Sequence, residues 1–201
     1  MQIKVDSQIG SVLGTFIRGL AKRQLPYATA NAINSTCFDI RDHTVKHTYP
    51  DSFEVRNKNF ARAAFRVDKA NKRRLVGRVY DRLQRRWLER QARGGTKRPH
   101  GSNLAIPTSN IKRTASGRVG VAKRPRNLRN AFVADLNGKG KAVYQRYGRK
   151  GRKLRLAYVL EPRARVGKRF SFYEDATTVT NKRFPKHFSR AFAHAVRTSK
   201  G

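Results

Sequence analysis

The sequence predicts an α+β protein: N-terminal helices packed on an antiparallel β-meander, with a C-terminal helix and a long basic loop or arm. Three observations carry this reading. Apolar residues recur at helical spacing near both ends of the chain and alternate with polar ones in its third quarter. Asn137-Gly138 falls between two alternating runs, the strongest short-range hairpin signal a sequence offers. Residues 94–129 are rich in Gly, Ser, Thr, Pro, Lys and Arg and hold only fragments of apolar pattern, LAIP and the pair Val119 and Val121. At 201 residues the chain reads as a single domain, 1–201, with the basic arm 94–129 inserted within it.

The elements follow in order. A short strand is expected at 3–5. Asp6 or Ser7 then caps a helix with Ile9, Val12, Leu13, Phe16, Ile17 and Leu20 on one face. Gln24-Leu25-Pro26 interrupts it, and Pro26 suits the first position of a second helix that ends before Pro50. Ala30, Ile33, Cys37 and Ile40 form that helix's apolar stripe, small enough to let a neighbouring helix approach closely. Residues 63–80 switch to a period of two, AAFRVD and LVGRVYD around a polar KANKRR, and read as a hairpin. A short basic helix at 82–92 presents Leu83, Trp87 and Leu88 and ends at Gly94-Gly95. AFVADL, KAVYQRY and KLRLAYVL, divided by glycine turns, make a three-stranded meander. PKHFSRAFAHAVR makes the last helix, with Phe184, Phe188, Phe192 and Val196 every fourth residue and an earlier turn beginning around Phe172 and Val179.

Charge bounds the function. With 47 Lys and Arg against 12 Asp and Glu, the formal charge is +35, and such a chain repels itself unless surrounded by negative charge. DNA, RNA, an anionic lipid surface and acidic protein subunits all qualify. Between residues 90 and 160 Asp135 is the only acid, against 19 Lys or Arg. Eleven Phe, seven Tyr and one Trp still supply a modest core. The single cysteine, Cys37, allows neither an intrachain disulfide nor a thiolate zinc cluster, which fits assembly in the cytosol. The first 20 residues contain neither an apolar span that crosses a bilayer nor a small-residue cleavage site, so neither membrane insertion nor secretion is expected.

The chemical motifs argue against an enzyme. Asp39, His43 and His47 would share one helix face at metal-ligand spacing, but no obvious third ligand is placed nearby, and a solvated polar face is the better reading. Cys37 lies on the apolar stripe and reads as a small core hydrophobe. No GxSxG elbow is present, GSVLGTF lacks the ending of a phosphate loop, and GKGKAVYQR belongs to a hairpin. A nuclease needs clustered carboxylates, and here they are few and scattered. No catalytic, cofactor-binding or metal residue is therefore assigned. What remains is the basic ribbon, in which Tyr144, Tyr147 and Tyr158 interleave with Arg146, Arg149, Lys150, Arg152, Lys153 and Arg155. It can contact phosphates and stack on bases. It can equally be a structural strand pair whose Val143, Leu154, Leu156 and Val159 face a core. No recognition helix, zinc finger or ribonucleoprotein motif supports sequence-specific reading.

LPYATANAINSTCFDIRDHTVK, the loop-rich middle with LAIPTS, and AFVADLNGKGKAVYQRYGRKGRKLRLAYVLEP stand in an order that resembles the phage minor tail protein Z family and related tail-completion proteins. The resemblance spans most of the chain; residues 90–129 match it poorly. It implies a virion structural protein at the head-tail junction, assembled in the host cytoplasm as a ring of copies. That ring would complete the tail and link it to the connector. The implied partners are further copies of itself, portal- or connector-associated proteins, tail-tube or tail-terminator proteins, and non-specifically contacted DNA, with no membrane and no cofactor. Arg146, Arg149, Lys150, Arg152 and Lys153 are then the first candidates for contact with nucleic acid or an acidic partner. Lys112, Arg113, Lys123, Arg124 and Arg126 are the second. A ribosomal or other RNA-binding structural protein is the main alternative, because a small, very basic chain with loop-like arms suits folding onto RNA.

Overall fold

A computed structural model describes residues 15–136, 138 and 140–198. The strand expected at 3–5 and the first part of the N-terminal helix lie outside these residues. The class is α+β. The described residues form two compact units, divided after Arg93 and again after Gly167, so that residues 94–167 are inserted into the rest. The insertion is thus longer than the expected 94–129 arm, and it takes in the meander.

The first unit is built on two long helices. Helix α1 (Thr15–His43) runs straight through Pro26, and α5 (Phe172–Thr198) through Pro185, where breaks or starts were expected. A proline inside a helix costs about 3 kcal/mol. Burying Ile33, Cys37 and Ile40 of α1 with Phe172 and Ala176 of α5 offsets it, since each large apolar side chain contributes roughly 1.5–3 kcal/mol. Near Pro26 the Thr29 hydroxyl donates to the Leu25 carbonyl at 2.8 Å. Nor does the helical path stop before Pro50. Residues Thr44–Thr48 widen into a π-turn and α2 (Tyr49–Ser52) continues it with Pro50 in its first turn. The wider turn sits where proline's missing N–H breaks the regular ladder.

After α3 (Phe60–Ala64), strands β1 (Phe65–Asp68) and β2 (Arg78–Asp81) pair antiparallel with Phe65 opposite Asp81, the expected hairpin. Two contacts fix it against α1. The Asn34 amide donates to the Ala70 carbonyl at 3.0 Å and accepts from the Ala70 N–H at 2.7 Å. Gly77 comes so close that a Cβ there would meet Cys37 Sγ at 2.6 Å and Ile33 Cγ2 at 2.7 Å, a distance only glycine permits. Helix α4 (Arg86–Arg93) follows, and its Gln91 carbonyl accepts from the N–H groups of Arg169 and Phe170 at 2.9 and 3.0 Å. The core closes on Phe65, Phe170 and Phe172, none more than 1% exposed, with Phe65 and Phe172 stacked at 5.9 Å.

The inserted unit has its own sheet. β3 (Gly95–Lys97) pairs with β8 (Ala164–Val166). β4 (Leu104–Pro107), β5 (Ala131–Ala134), β6 (Ala142–Tyr147) and β7 (Lys153–Glu161) form a four-stranded antiparallel sheet in the order β4-β7-β6-β5. The meander is as expected, with LAIP added at its edge. Residues 94–129 are folded rather than an unattached arm. Ile111, 4% exposed, joins Val143, Ala157 and Tyr158 in a small core, with Val119 and Leu128 packed around it. The anchor is a β-bulge: Val143 pairs with Tyr158 but Tyr144 with Leu156, which leaves Ala157 as an extra residue. The Thr108 hydroxyl donates to the Leu156 carbonyl at 2.7 Å, and the Thr108 N–H to that of Ala157 at 3.0 Å. Asn110 also donates to the Leu156 carbonyl, at 2.9 Å. The bulge thus creates acceptors that the preceding loop satisfies.

Candidate polyanion interface

The first group of expected contact residues occupies the tip of the β6–β7 hairpin. Its turn demands left-handed backbone at Gly148 (φ 79°) and Gly151 (φ 65°), which glycine adopts freely, and also at Lys150 (φ 58°), which costs about 1–2 kcal/mol for a residue with a Cβ. The bend turns Arg149, Lys150, Arg152 and Lys153 outward, and with Arg146 all five are exposed. Arg146 lies over the Phe132 ring at 5.3 Å. The guanidinium itself rests on the aromatic face, an exposed cation–π contact.

The second group lies on the segment that covers the bulge. Lys112, Arg113, Lys123, Arg124 and Arg126 are all exposed there. Tyr158, rooted in the core, donates its hydroxyl to the Lys123 carbonyl and so fixes the backbone that carries three of them; burial pushes this phenol above its ordinary pKa. The ten expected residues do not converge on one spot. Lys112 and Lys123 come together around a hollow of about 480 Å³, and there they meet Arg129 and Arg155, which were not among the expected contacts. Arg155 was visible in the ribbon, but its neighbours are set by the fold of residues 108–129, and no local signal marks Arg129.

Charge compensation divides the chain. Residues 94–167 contain 19 Lys and Arg but two acids, Asp135 and Glu161. Among the described residues every ion pair falls outside this segment: Asp81 with Arg85, Glu54 with Arg56, Glu174 with Lys168, Asp39 with His187 and Arg183, and the exposed pairs of Asp42 and Glu89. Arg56 and Lys168 hold the carboxyls of Glu54 and Glu174 below their ordinary pKa, chiefly by direct hydrogen bonds.

The residues considered for chemistry go to structural partners. Asp39 turns to α5, where His187 Nε2 lies 2.8 Å from its Oδ2, while His43 Nδ1 sits 3.3 Å from the Thr48 hydroxyl. His47 lies tilted against the His43 ring, the two centroids 5.0 Å apart. Among the described residues no three His, Cys, Asp or Glu groups converge as a metal site would require. Cys37 is in the core, as expected, and burial pushes its thiol up to about 11. A hollow of about 550 Å³ beside β2 and α4 has Phe65 and Phe170 as its floor, and its Asp81 is committed to the Arg85 side chain and N–H, the latter at 2.7 Å. Among the described residues no helix is long and apolar enough to cross a membrane.

No family model, curated protein or solved structure matches the chain.

Proposed function

We propose that the protein is a non-enzymatic structural component of a phage virion. It would sit at the head-tail junction as a ring of copies, complete the tail and link it to the connector. The observation that supports this most is the uncompensated charge of residues 94–167, carried on a folded sheet rather than on loose tails. A fixed cationic surface offsets the repulsion between acidic subunits, or between subunits and DNA phosphates, where they meet at a joint. The chain order, a small-residue helix, a basic insertion, strands around glycine turns and a Phe-spaced terminal helix, is that of the tail-completion proteins it resembles.

Four of the carboxylates are committed to ion pairs within the chain. Hydrolysis assisted by metal ions needs acids free to hold the metal, whereas Asp39, Asp81, Glu54 and Glu174 each pair with a cation of this chain. The alternative of an RNA-binding structural protein drew on loop-like arms that order on RNA; with residues 108–129 anchored to the sheet, that support is weaker. Deleting 149–153 in a phage that carries this protein tests the proposal. Heads and tails are expected to assemble separately and fail to join, as seen by electron microscopy of lysates. Joined particles at normal yield, or co-sedimentation of the native protein with ribosomes, would overturn it.

A further inference from the structure

We propose that the hollow between residues 108–129 and the β6–β7 pair is a pocket for the phosphate backbone of nucleic acid. The inference rests on the reading of residues 94–167 as a polyanion surface and narrows it, from any acidic partner to DNA phosphates held at one place.

Four cations from four positions in the chain line this hollow, Lys112, Lys123, Arg129 and Arg155, and no carboxylate does. Like charges do not gather around one concavity without cost, because each raises the potential at the others. An anion in the hollow relieves all four at once. Its volume of about 480 Å³ lies within the range of small-ligand pockets, roughly 300–1,000 Å³, and accommodates a nucleotide unit rather than a bare ion.

Arg155 is positioned in advance. The side-chain oxygen of Gln145, the cross-strand partner of Arg155, accepts from its Nε at 3.0 Å and its Nη2 at 2.7 Å. Gln145 is oriented in turn by donating its amide to the Arg129 carbonyl at 2.9 Å. Tyr147 lies against the guanidinium at 5.2 Å. A neutral amide and an aromatic face thus hold Arg155 where a carboxylate would neutralise it. The guanidinium keeps three of its five N–H donors and its full charge for a ligand.

Nucleic acid fits better than an acidic protein face. A carboxylate and a phosphodiester each carry one charge, so the difference lies in what flanks them. A nucleic-acid strand brings a row of evenly spaced charges, each with two outward oxygens that suit Arg and Lys donors.

The test measures fluorescence anisotropy of a labelled DNA duplex of about two helical turns with the purified full-length chain over a series of salt concentrations. Arg155→Gln and Lys123→Gln are expected to weaken binding about five- to tenfold each near physiological salt, and to lower the log-log salt slope by about one. Arg155→Lys, which keeps the charge but cannot engage Gln145 through two donors, is expected to keep the slope and lose affinity. Arg165→Gln on β8, exposed and away from the hollow, serves as the reference for losing one charge. Lys123→Gln covers the case in which Arg155 variants misfold, because the contact Lys123 makes with the core runs through its carbonyl. Equal weakening by Arg165→Gln and the pocket variants would overturn the pocket while leaving a diffuse polyanion surface. Tighter binding to poly-glutamate than to DNA of equal charge would assign the hollow to an acidic protein. A native chain that binds neither DNA nor poly-glutamate at low salt would remove the polyanion reading itself, and one that binds only poly-glutamate would overturn the nucleic-acid pocket.

Discussion

The two units carry a similar surplus of positive charge, 28 Lys and Arg against 10 acids in residues 1–93 with 168–201 and 19 against 2 in residues 94–167, but they differ in how many acids they have to meet it. The helical unit, residues 15–93 with 168–198, pairs most of its acids with neighbouring cations and closes over Phe65, Phe170 and Phe172. The inserted unit buries little beyond Ile111, Val143, Ala157 and Tyr158 and leaves its many cations without carboxylate partners among the described residues. The first buries the larger core. The second has almost no acid of its own to meet its cations, two against 19, so compensating charge has to come from another molecule, as at a binding surface.

If that contrast is right, the largest losses of stability come from apolar substitutions in the helical unit. Phe172→Ala removes a ring stacked on Phe65 and set 5.8 Å from Phe170, and is expected to cost about 3–5 kcal/mol. Urea denaturation followed by the emission of the single tryptophan, Trp87, which packs 5.8 Å from Phe53, reads this unit directly. A cost below about 1 kcal/mol would mean that the aromatic cluster is not its foundation.

The next effect is set by pH. Burial raises the Cys37 thiol from 9.0 to about 11, so the native state holds this proton more tightly than the unfolded chain. The stability it contributes is complete below pH 9.0 and falls as pH rises toward about 11, by up to about 2–3 kcal/mol in all. Comparing the native protein with Cys37→Ala at both ends of that window isolates the contribution from those of the tyrosines. The variant is expected to be less stable at neutral pH and to show a shallower alkaline decline. Parallel declines would place the thiol within reach of water.

A smaller effect sharpens the picture of the inserted unit. Tyr158→Phe keeps the ring in the core and removes the hydroxyl that holds the Lys123 carbonyl, at an expected cost of about 1–2 kcal/mol. Amide hydrogen exchange should speed up within 108–129 and stay unchanged in α1 and α5. Acceleration across both units would contradict their separate cores.

These elements differ in how far the sequence announces them. The hairpin of β1 and β2 and the meander of β5, β6 and β7 follow from alternation and glycine turns, which are local causes. The continuity of α1 through Pro26 and of α5 through Pro185 is not local. It depends on each helix finding the other, and that packing outweighs the penalty of the proline. Residues 108–129 are the extreme case. Ile111, Val119 and Leu128 recur with neither helical nor strand period, and what buries them is a bulge at Ala157, dozens of residues later. The exposed cations were legible as a set, whereas the meeting of Lys112, Lys123, Arg129 and Arg155 depends on that same distant bulge.

The smallest expected effect bears most directly on the contrast. Replacing Arg149, Lys150, Arg152 and Lys153 together by Gln removes four exposed charges that touch no carboxylate among the described residues. Nothing in the fold depends on them, so stability is expected to change by no more than about 0.5 kcal/mol. The sign should be a gain, since the native tip concentrates like charges on one turn. The gain should shrink as salt rises, because a Debye length of about 8 Å at physiological ionic strength already screens much of that repulsion. Thermal melting at low and high salt measures both features. A loss above about 1 kcal/mol would show the tip cations holding the hairpin together, and the inserted unit would then be stabilised by its charge instead of presenting it.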